Sequence, residues 1–394
     1  VFKFPMSESL ALCLYSSIMY SPPRFTCCLI PGLPDQVNFN AAFHRLTVEY
    51  PGHISNALFT YLADDLFSLP NQGHFKRLVR AMSRQVTNYY DSKRWCAIML
   101  QRAKCEGSFA PTFMTTSAAW NATANDNSAL FYIKEEYATR GAGMRIVRRD
   151  ALWNCILSPS QIIQQGIRDI QLVEGRKFVI RFYILIHDGK AFLHRRGAVI
   201  VHGAPYNQWT TDYNVQILHD FDSAAPTSKL LVLHELSNAG AWHASISRSA
   251  TETMPALKPM IDASSCDCYA LIGGDALIER SGKARFLEFN FFPAMFAKSK
   301  DFNERVSQPV LHDVLAQVLM GARPVEFDEL HPPCSAKPHK AIECGTDCLT
   351  PGTGVAWPGQ RGPPRHSCSQ PNATLSWAPG IMSPFSQRPV FVSA

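Results

Sequence analysis

The stretch RFLEFNFFPAM, residues 285–295, places two oxygen-bearing side chains inside an apolar run. A β-strand alternates its faces, so Glu288 and Asn290 point to one side while Leu287 and Phe289 point to the other. A buried carboxylate is costly without a partner, and two adjacent oxygen donors suit a hard cation such as Mg²⁺. The pattern indicates either a metal site on a core strand or a polar face exposed on an antiparallel strand.

The residues before this strand predict a hairpin that adds a third oxygen ligand. Two apolar runs flank Ser281-Gly282, and a two-residue loop there pairs Arg280 with Lys283. The same register places Asp275 directly opposite Glu288. Two opposed carboxylates repel unless a positive charge lies between them, so the hairpin favours the metal site. The core face is then expected to carry Ala276, Ile278, Leu287 and Phe289.

A second strand pattern, RKFVIRFYILI, carries basic residues on one face. Alternation puts Lys177, Val179, Arg181 and Tyr183 together, opposite an apolar face. Two cations at this spacing suit a polyanion such as phosphate, and a solvated basic strand is the alternative.

Asp188-Gly189 predicts a tight turn after this strand, so AFLHRRGAVIV returns alongside it. The return strand carries Arg195 and Arg196. The register from a two-residue turn puts Arg196, not Arg195, beside Arg181.

Two further segments suggest a nucleotide site. In LFYIKEEYATRGAGMRIV, Lys134 ends a strand, and Arg140, Gly141 and Gly143 form a flexible basic loop. Glycine lets backbone amides approach a phosphate closely, although a plain hairpin explains the same pattern. IIQQGI at 162–167 is an apolar strand broken by polar residues. It predicts either a hinge whose backbone reads an adenine edge or an ordinary strand end.

Taken in order, these segments resemble the tubulin–tyrosine ligase-like family of ATP-grasp carboxylate–amine ligases. That family has a Lys-bearing strand, a Gly-rich loop, a hinge, a G-R-K-F-D-x-R strand, a Y-R-E-G return and a final G-x-D…E-x-N. The matching pieces of this chain are YIK, RGAGM, IIQQGI, GRKFVIR, HRRG and GGD…LEFN, preceded by PTFMTT at 111–116. The resemblance covers residues 109–300.

The resemblance implies ATP and Mg²⁺ as cofactors. Lys134 and Lys177 would hold the nucleotide phosphates, with Arg181 near the γ-phosphate and Arg195 facing the acceptor carboxylate. The implied catalytic residues are Lys177, Arg181 and Arg195. The implied nucleotide-binding residues are Lys134, Arg140, Gly141, Gly143, Gln164, Gln165, Gly166, Ile167, Lys177, Arg181 and Asp275. The implied Mg²⁺ ligands are Asp275, Glu288 and Asn290.

The chain also departs from the family pattern. Val179 stands where the family has an aspartate, and Gln165-Gly166 stands where a basic residue and a tyrosine are usual. Arg195-Arg196 replaces Arg-Glu in the return strand, and Asp212 replaces an asparagine. We expect Val179 to remove a nucleotide contact and to weaken ATP binding.

The resemblance implies an ATP- and Mg²⁺-dependent ligase that adds tyrosine, glutamate or glycine to a protein carboxylate through an acyl phosphate. The expected partners are a free amino acid and tubulin or another acidic protein tail, with neither nucleic acid nor membrane. Two alternatives are a silent relative that binds nucleotide or microtubules and an ATP-grasp ligase that joins small molecules or peptides. A basic groove for the acceptor, or a solvated basic face, is expected at Arg145, Arg148, Arg149, Arg195 and Arg196.

The whole chain sets broad limits. Its 394 residues allow two or three domains, and the net charge of +6 permits an acidic partner. The twelve cysteines show no disulfide framework, which favours a reducing, cytoplasmic location, with association to the cytoskeleton implied by the family. Apolar spacing predicts a helix from Phe59 to Val86, interrupted near residue 69, and another over Val306–Leu319.

We therefore expect an α+β chain with an ATP-grasp fold that holds the nucleotide between two β-layers. The expected parts are an N-terminal region (1–107), a central subdomain (108–168), a C-terminal subdomain (169–322) and a disordered tail (323–394). Residues 331–394 hold 11 of the 27 prolines, a composition that buries too little apolar surface to fold.

Overall fold

Strongly apolar strands build the centre of this α+β protein, as their sequence patterns predict. The computed structural model describes residues 26–28, 35–50, 57–60, 77–138, 141–217 and 227–332. The described strands form one sheet of ten strands and a second sheet of four. Most of the expected tail, from residue 333 onward, lies outside the described residues.

The N-terminal part contributes parallel strands to the edge of the large sheet. Its elements are β1 (Thr26–Cys28), α1 (Asp35–Glu49), β2 (Ala57–Thr60) and β3 (Arg77–Ala81). β2 pairs in parallel with β1 and β3. The predicted helix from Phe59 to Val86 is therefore wrong at both β2 and β3, its residues 61–76 lie outside the described residues, and only its last three residues are helical. Helical apolar spacing was overridden there by strand pairing, because Val79 is buried in a parallel ladder.

The small sheet follows two helices. This part contains α2 (Arg84–Asp91), α3 (Lys93–Arg102), β4 (Thr112–Phe113), α4 (Thr116–Ala122), β5 (Leu130–Glu135), β6 (Arg145–Arg148), α5 (Arg149–Leu152) and β7 (Gln161–Gln165). Its strand order is β4-β7-β5-β6. The strand predicted at PTFMTT ends early, because the Thr115 side chain accepts a hydrogen bond from the Ala118 N–H (3.1 Å) and starts α4.

The large sheet is completed by the C-terminal part. Its elements are β8 (Arg176–His187), β9 (Lys190–His194), β10 (Ala198–Pro205), α6 (Tyr213–Gln216), β11 (Lys229–Val232), α7 (Ala239–Ala263), β12 (Cys268–Ile278), β13 (Ala284–Phe291), α8 (Lys300–Phe302), α9 (Gln308–Met320) and β14 (Phe327–Leu330). The main strand path is β1-β2-β3-β12-β8-β10-β11. β13 pairs with β12, and β14 pairs with β9.

The boundary predicted for the disordered tail, residue 323, is too early in the chain, because residues beyond it are folded. β14 pairs with β9, and the Phe327 ring packs against Phe192 and His194. Leu330 is 4 % exposed within the core. This last strand is held by burial of its apolar residues, so the folded part extends at least to Leu330.

Helices cover both faces of the large sheet. Phe178, Ile180 and Phe182 of β8 pack in one cluster with Trp242 and Ile246 of α7. The other face of the sheet packs against α1 and α9, which confirms the helix predicted near Val306–Leu319. None of the described helices is long and apolar enough to cross a membrane.

The β12–β13 hairpin has the predicted pairing at the candidate site but not at its turn. Glu279 pairs with Lys283 around a three-residue loop, in which Gly282 has φ of 88°. A bulge then shifts the register, so Asp275 lies opposite Glu288 while Ala276 lies opposite Phe286. Phe286, not Leu287, therefore shares the core face with Ala276. Leu287 is the extra residue of the bulge and packs on the opposite side.

The cysteines differ partly from expectation. Cys96, Cys105, Cys155 and Cys268 are free thiols. Cys266 is disulfide-bonded. The reducing location stays a prediction.

Gly274 offers a direct test of sheet packing, because a Cβ added there would overlap the ring of Phe182. We expect Gly274→Ala to lower the free energy of unfolding by about 2 kcal/mol, since the buried ring has little room to move. Gly107→Ala is the control, because an added Cβ there meets no atom within 4 Å. Denaturant unfolding of both variants measures the difference, and equal stabilities would contradict the packing.

Candidate active site

The candidate site is a row of side chains that crosses the large sheet. Glu288 of β13 lies opposite Asp275 of β12, which lies opposite Arg181 of β8. Directly opposed residues of antiparallel strands point to the same face. The sheet therefore gathers the predicted carboxylates and the predicted arginine on one face, and the register proposed for Asp275 and Glu288 is confirmed.

Arg181 and Asp275 form a two-point ion pair. Arg181 Nε donates to Asp275 Oδ1 at 2.7 Å, and Arg181 Nη2 donates to Oδ2 at 3.0 Å. Burial by itself would lower the pKa of Arg181, but the charge and hydrogen bonds of Asp275 raise it instead. The guanidinium is thus permanently charged and held in one plane.

Glu288 is ionised although it is largely enclosed. Burial would raise the pKa of Glu288, but the charges of Lys93, Lys134 and Arg181 and a hydrogen bond from Asn290 lower it. Lys93 Nζ lies 3.4 Å from Glu288 Oε2, and Asn290 Nδ2 donates to Oε1 at 3.3 Å.

Sequence reasoning missed Lys93. It is the first residue of α3, whose N-terminus is capped by the Ser92 hydroxyl. A cation is unfavourable at a helix N-terminus because the helix dipole is positive there. A lysine at this position was the signal in the sequence that could have pointed to a functional role. In the structure, the Lys93 ammonium is stabilised by Glu288 and donates a hydrogen bond to the Ala138 carbonyl (2.7 Å).

Lys134 lies on β5 of the small sheet and is 7 % exposed. Its ammonium donates to Gln164 Oε1 at 2.7 Å, and Gln164 Nε2 donates to the Leu287 carbonyl at 3.0 Å. Burial lowers the pKa of Lys134, and the charge of Glu288 only partly opposes this. Gln164 therefore links the lysine of one sheet to the strand of the other that carries Glu288.

Lys177 is also buried, at 5 % exposure. Its ammonium donates to the Gln216 carbonyl at 2.8 Å and to the Tyr132 hydroxyl at 3.2 Å, and that hydroxyl donates to Gln216 Oε1 at 2.8 Å. Burial, reinforced by the charge of Lys134, lowers the pKa of Lys177 to about 7. Both lysines thus donate their hydrogen bonds to neutral oxygens.

The glycine loop has the backbone that its sequence predicts, although Arg140 lies outside the described residues. Gly141 and Gly143 have φ of 72° and 67°, in the left-handed region that favours glycine. The Gly141 carbonyl accepts a hydrogen bond from the Tyr213 hydroxyl (3.2 Å). A Cβ at Gly141 would approach Ile217 to 2.7 Å, so the loop packs closely on α6.

The predicted hinge covers most of β7 and the two residues that follow it. The Gln165 and Gly166 N–H groups donate to the carbonyls of Pro111 (2.7 Å) and Leu130 (2.8 Å). A Cβ at Gly166 would lie 3.1 Å from the Tyr132 ring, so glycine leaves room for that ring. Ile167 packs beside Val179. The adenine-reading role of Gln164 to Ile167 stays a prediction.

The structure does not bring Arg195 or Arg196 to Arg181. Arg195 forms a two-point pair with Asp328 of β14 at the surface (Nη2–Oδ1 2.7 Å), and Arg196 lies 3.6 Å from Glu326. The register that put Arg196 beside Arg181 is wrong, because two extra residues bulge out and Ala198 lies opposite Arg181.

The bulge has a local cause. The Arg196 N–H donates to Nδ1 of buried His194 at 2.9 Å, and His194 Nε2 lies 3.1 Å from Asp313 Oδ2 of α9. Gly197 then passes so close to the Arg181 carbonyl that a Cβ would lie 2.5 Å from it. The acceptor-facing role of Arg195 stays a prediction that this arrangement does not support.

The site offers oxygen donors for Mg²⁺. No group of three or more His, Cys, Asp or Glu side chains in the described part of the chain is arranged to hold a metal ion. Mg²⁺, however, usually takes one or two carboxylates and completes its shell with water and substrate phosphates. Asp275, Glu288 and the Asn290 amide fit that requirement, with Asp275 and Glu288 on one face.

Comparison with known proteins agrees with the motifs. Residues 78–219 match the model of the tubulin-tyrosine ligase family, a range that includes Lys93, Lys134, Lys177 and Arg181. Over these residues the chain is tubulin–tyrosine ligase-like. The match spans less than half of the chain and ends before Asp275. A search of curated proteins found no match. The tubulin–tyrosine ligase-like assignment supports a ligase-type enzyme in general.

The lowered pKa of Lys177 predicts how stability depends on pH. Folded Lys177 releases its proton near pH 7, whereas a lysine in the unfolded chain keeps its proton to about pH 10. The unfolded state therefore binds more protons between these values, and the native protein gains stability as pH rises. From pH 7 to 9 we expect a gain of roughly 2 kcal/mol relative to Lys177→Met, measured by denaturant unfolding. Parallel pH curves would show that Lys177 keeps an ordinary pKa.

Proposed function

We propose that this protein is an ATP- and Mg²⁺-dependent ligase that joins an amino acid to a protein carboxylate. One observation carries the proposal: Lys134 and Lys177 are buried, and their hydrogen bonds go to neutral oxygens. Burying a cation whose hydrogen bonds go only to neutral oxygens is costly, and an anionic ligand would offset that cost. A nucleotide triphosphate supplies that charge.

Each residue of the site has a role in this reaction. Lys134 and Lys177 bind the phosphates, and Arg181, held in plane by Asp275, faces the γ-phosphate. Asp275, Glu288 and Asn290 would hold Mg²⁺, which neutralises phosphate charge when bound. The protein acts by positioning and charge neutralisation, and no covalent nucleophile is needed.

The proposed reaction has two steps. A carboxylate oxygen of the acceptor attacks the γ-phosphorus, and the bond to the β–γ bridging oxygen breaks to release ADP. The amine nitrogen of the amino acid then attacks the acyl carbon, and phosphate and a proton leave as the amide forms. ATP supplies the leaving group that a carboxylate lacks at neutral pH.

We propose a tubulin tail as the first acceptor to test, in the cytoplasm and in association with the cytoskeleton. The family match supports this choice, and so does charge. Arg145 and Arg148 are exposed on β6, at the end of the small sheet's strand order. Arg149, by contrast, is buried and stacks on Trp120 at 3.8 Å, so it is not part of a basic groove.

A silent nucleotide-binding relative is the second candidate. Arg181 engages both oxygens of Asp275, and Lys93 lies beside Glu288, so both carboxylates already have cationic partners. Val179 also supports the silent candidate. It packs in an apolar cluster at the position where the family has an aspartate, so that possible nucleotide contact is missing. This candidate predicts nucleotide binding without product.

Nucleotide binding tests the lysine roles. We expect Lys177→Met to weaken binding of a non-hydrolysable ATP analogue at least about tenfold, because a hydrogen bond to a charged group contributes about 1.5–3 kcal/mol. Lys190→Met is the control, since Lys190 of β9 pairs with Glu329 of β14 and makes no contact with the proposed phosphate site. Isothermal titration calorimetry gives both affinities. An unchanged Lys177→Met affinity would remove that lysine from the phosphate site.

Mass spectrometry tests the ligation itself. Purified protein, Mg·ATP, tubulin and a panel of free amino acids should yield a mass increment on tubulin tails. Glu288→Gln should abolish it, because the carboxylate is needed at the proposed metal site. Glu279→Gln is a matched control: Glu279 has a similar exposure and pairs with Arg285 at the other end of the same hairpin. Nucleotide binding without any increment would favour the silent candidate.

A further inference from the structure

Gln216, the last residue of α6, uses its side-chain amide entirely inside the protein, where the residue is 2 % exposed. Gln216 Nε2 donates to the Asn207 carbonyl at 2.9 Å and to the Thr210 carbonyl at 3.1 Å. Gln216 Oε1 accepts a hydrogen bond from the Tyr132 hydroxyl at 2.8 Å. The amide therefore joins the 207–210 loop to β5 of the small sheet.

The partners of the Gln216 amide fix its orientation. Backbone carbonyls only accept hydrogen bonds, so the group that faces Asn207 and Thr210 must be the NH₂ group. The amide oxygen then faces Tyr132 and has no proton to give, so the Tyr132 hydroxyl supplies the proton of that bond. The lone pairs of the hydroxyl oxygen are left for another donor.

Lys177 is that donor. Its ammonium lies 3.2 Å from the Tyr132 hydroxyl oxygen and has only donors to offer. The backbone carbonyl of Gln216 accepts a second hydrogen bond from the same ammonium, at 2.8 Å. Gln216 thus supports the charged form of Lys177 directly through its main chain and indirectly through Tyr132. An ammonium has three N–H donors, so these two bonds leave one for a phosphate oxygen.

Without the Gln216 amide, the bond between Tyr132 and Lys177 would reverse. The hydroxyl proton would lose its acceptor, and the uncharged amine of Lys177 has a lone pair that can accept it. A hydrogen bond to the uncharged form favours that form and lowers the pKa of the lysine. Burial, reinforced by the charge of Lys134, already lowers the pKa of Lys177 to about 7, so a further decrease removes charge at neutral pH.

We propose that Gln216 is a positioning residue for phosphate binding by Lys177, an inference that rests on the proposed function. Its side-chain carbonyl takes the proton of the Tyr132 hydroxyl, and the oxygen of that hydroxyl then holds the Lys177 ammonium. Gln216 itself does not touch the phosphate. Because the same amide anchors the 207–210 loop, the test separates this role from a purely structural one.

Other charged or titratable groups surround Lys177 and its hydrogen-bond partners. They include Lys134 of β5, Arg181 of β8, His202 of β10 and Tyr206, which follows β10. These groups are the same in the Gln216 variants and in the unaltered chain. Differences in pH dependence between these proteins therefore report on position 216.

The test compares Gln216→Met with Gln216→Glu between about pH 6.5 and 9. Both side chains lose the NH₂ group that anchors the 207–210 loop. They differ at Tyr132, because methionine offers its hydroxyl no comparable acceptor, whereas a carboxylate accepts the proton and adds negative charge. The measurement is the affinity for a non-hydrolysable Mg·ATP analogue, by calorimetry on the full chain.

In the unaltered chain this affinity should fall above about pH 7, where Lys177 loses its proton. We expect the fall to begin about one pH unit lower in Gln216→Met and at higher pH in Gln216→Glu. Gln171→Glu is the matched control, because Gln171 also accepts a hydrogen bond from an aromatic side chain, that of Trp242, at 2.8 Å. Its pH profile should match that of the unaltered chain.

Shifts in the same direction in both Gln216 variants, or no shift in either, would overturn the proposal. Tyr132→Phe serves where Gln216→Glu does not fold. In that background the hydroxyl is absent, so Gln216→Met should shift the pH profile no further, and a further shift of about one unit would also overturn the proposal.

Failure of the proposed function reads differently, because the ATP analogue then does not bind at all. The free energy of unfolding, measured without nucleotide, still reports the protonation of Lys177. The gain in stability that Lys177 causes above about pH 7 should begin at lower pH in Gln216→Met and at higher pH in Gln216→Glu. Identical pH curves would reject the role of Gln216 even in that case.

Discussion

Buried positive charge is the constraint on which this structure depends. The charges of Lys93, Lys134 and Arg181 act on Glu288, and Arg181 also pairs with Asp275. Lys177 is buried near Lys134, and the pKa of Lys177 is lowered to about 7. The cost of burying these groups is met by packing elsewhere, since apolar clusters lie on both faces of the large sheet. The proposed anionic ligand would offset that cost, because Lys134 lies on the small sheet and Lys177 and Arg181 lie on the large sheet.

The sequence was most informative where side chains alternate in long strands. β8 has Phe178, Ile180 and Phe182 in the core and Lys177 and Arg181 on the other face, as period two predicts. The predicted Asp275–Glu288 pairing is correct because two deviations from the predicted hairpin cancel. The turn is one residue longer than predicted, and the bulge at Leu287 restores the register. Neither irregularity follows from composition, because each is fixed by packing around the hairpin.

The sequence patterns could not predict roles that depend on contacts with distant segments of the chain. Lys93 meets Glu288 only because α3 packs near β13. The bulge that carries Arg195 and Arg196 away depends on buried His194 and on Asp313 of a helix more than a hundred residues later. The strands at the N-terminal edge were mistaken for helix for the same reason. Local periodicity does not report partners that tertiary structure supplies.

The Arg181–Asp275 pair does not by itself make the site inert. A guanidinium has five N–H donors, and this pair uses one at Nε and one at Nη2. Three donors therefore remain for phosphate. Each oxygen of Asp275 accepts one hydrogen bond from Arg181 and keeps a second lone pair, which can coordinate a cation. Arg181 can thus bind an anion, and Asp275 a metal, without breaking their pair. The pair fixes the two groups in place, which favours an active ligase over a silent relative.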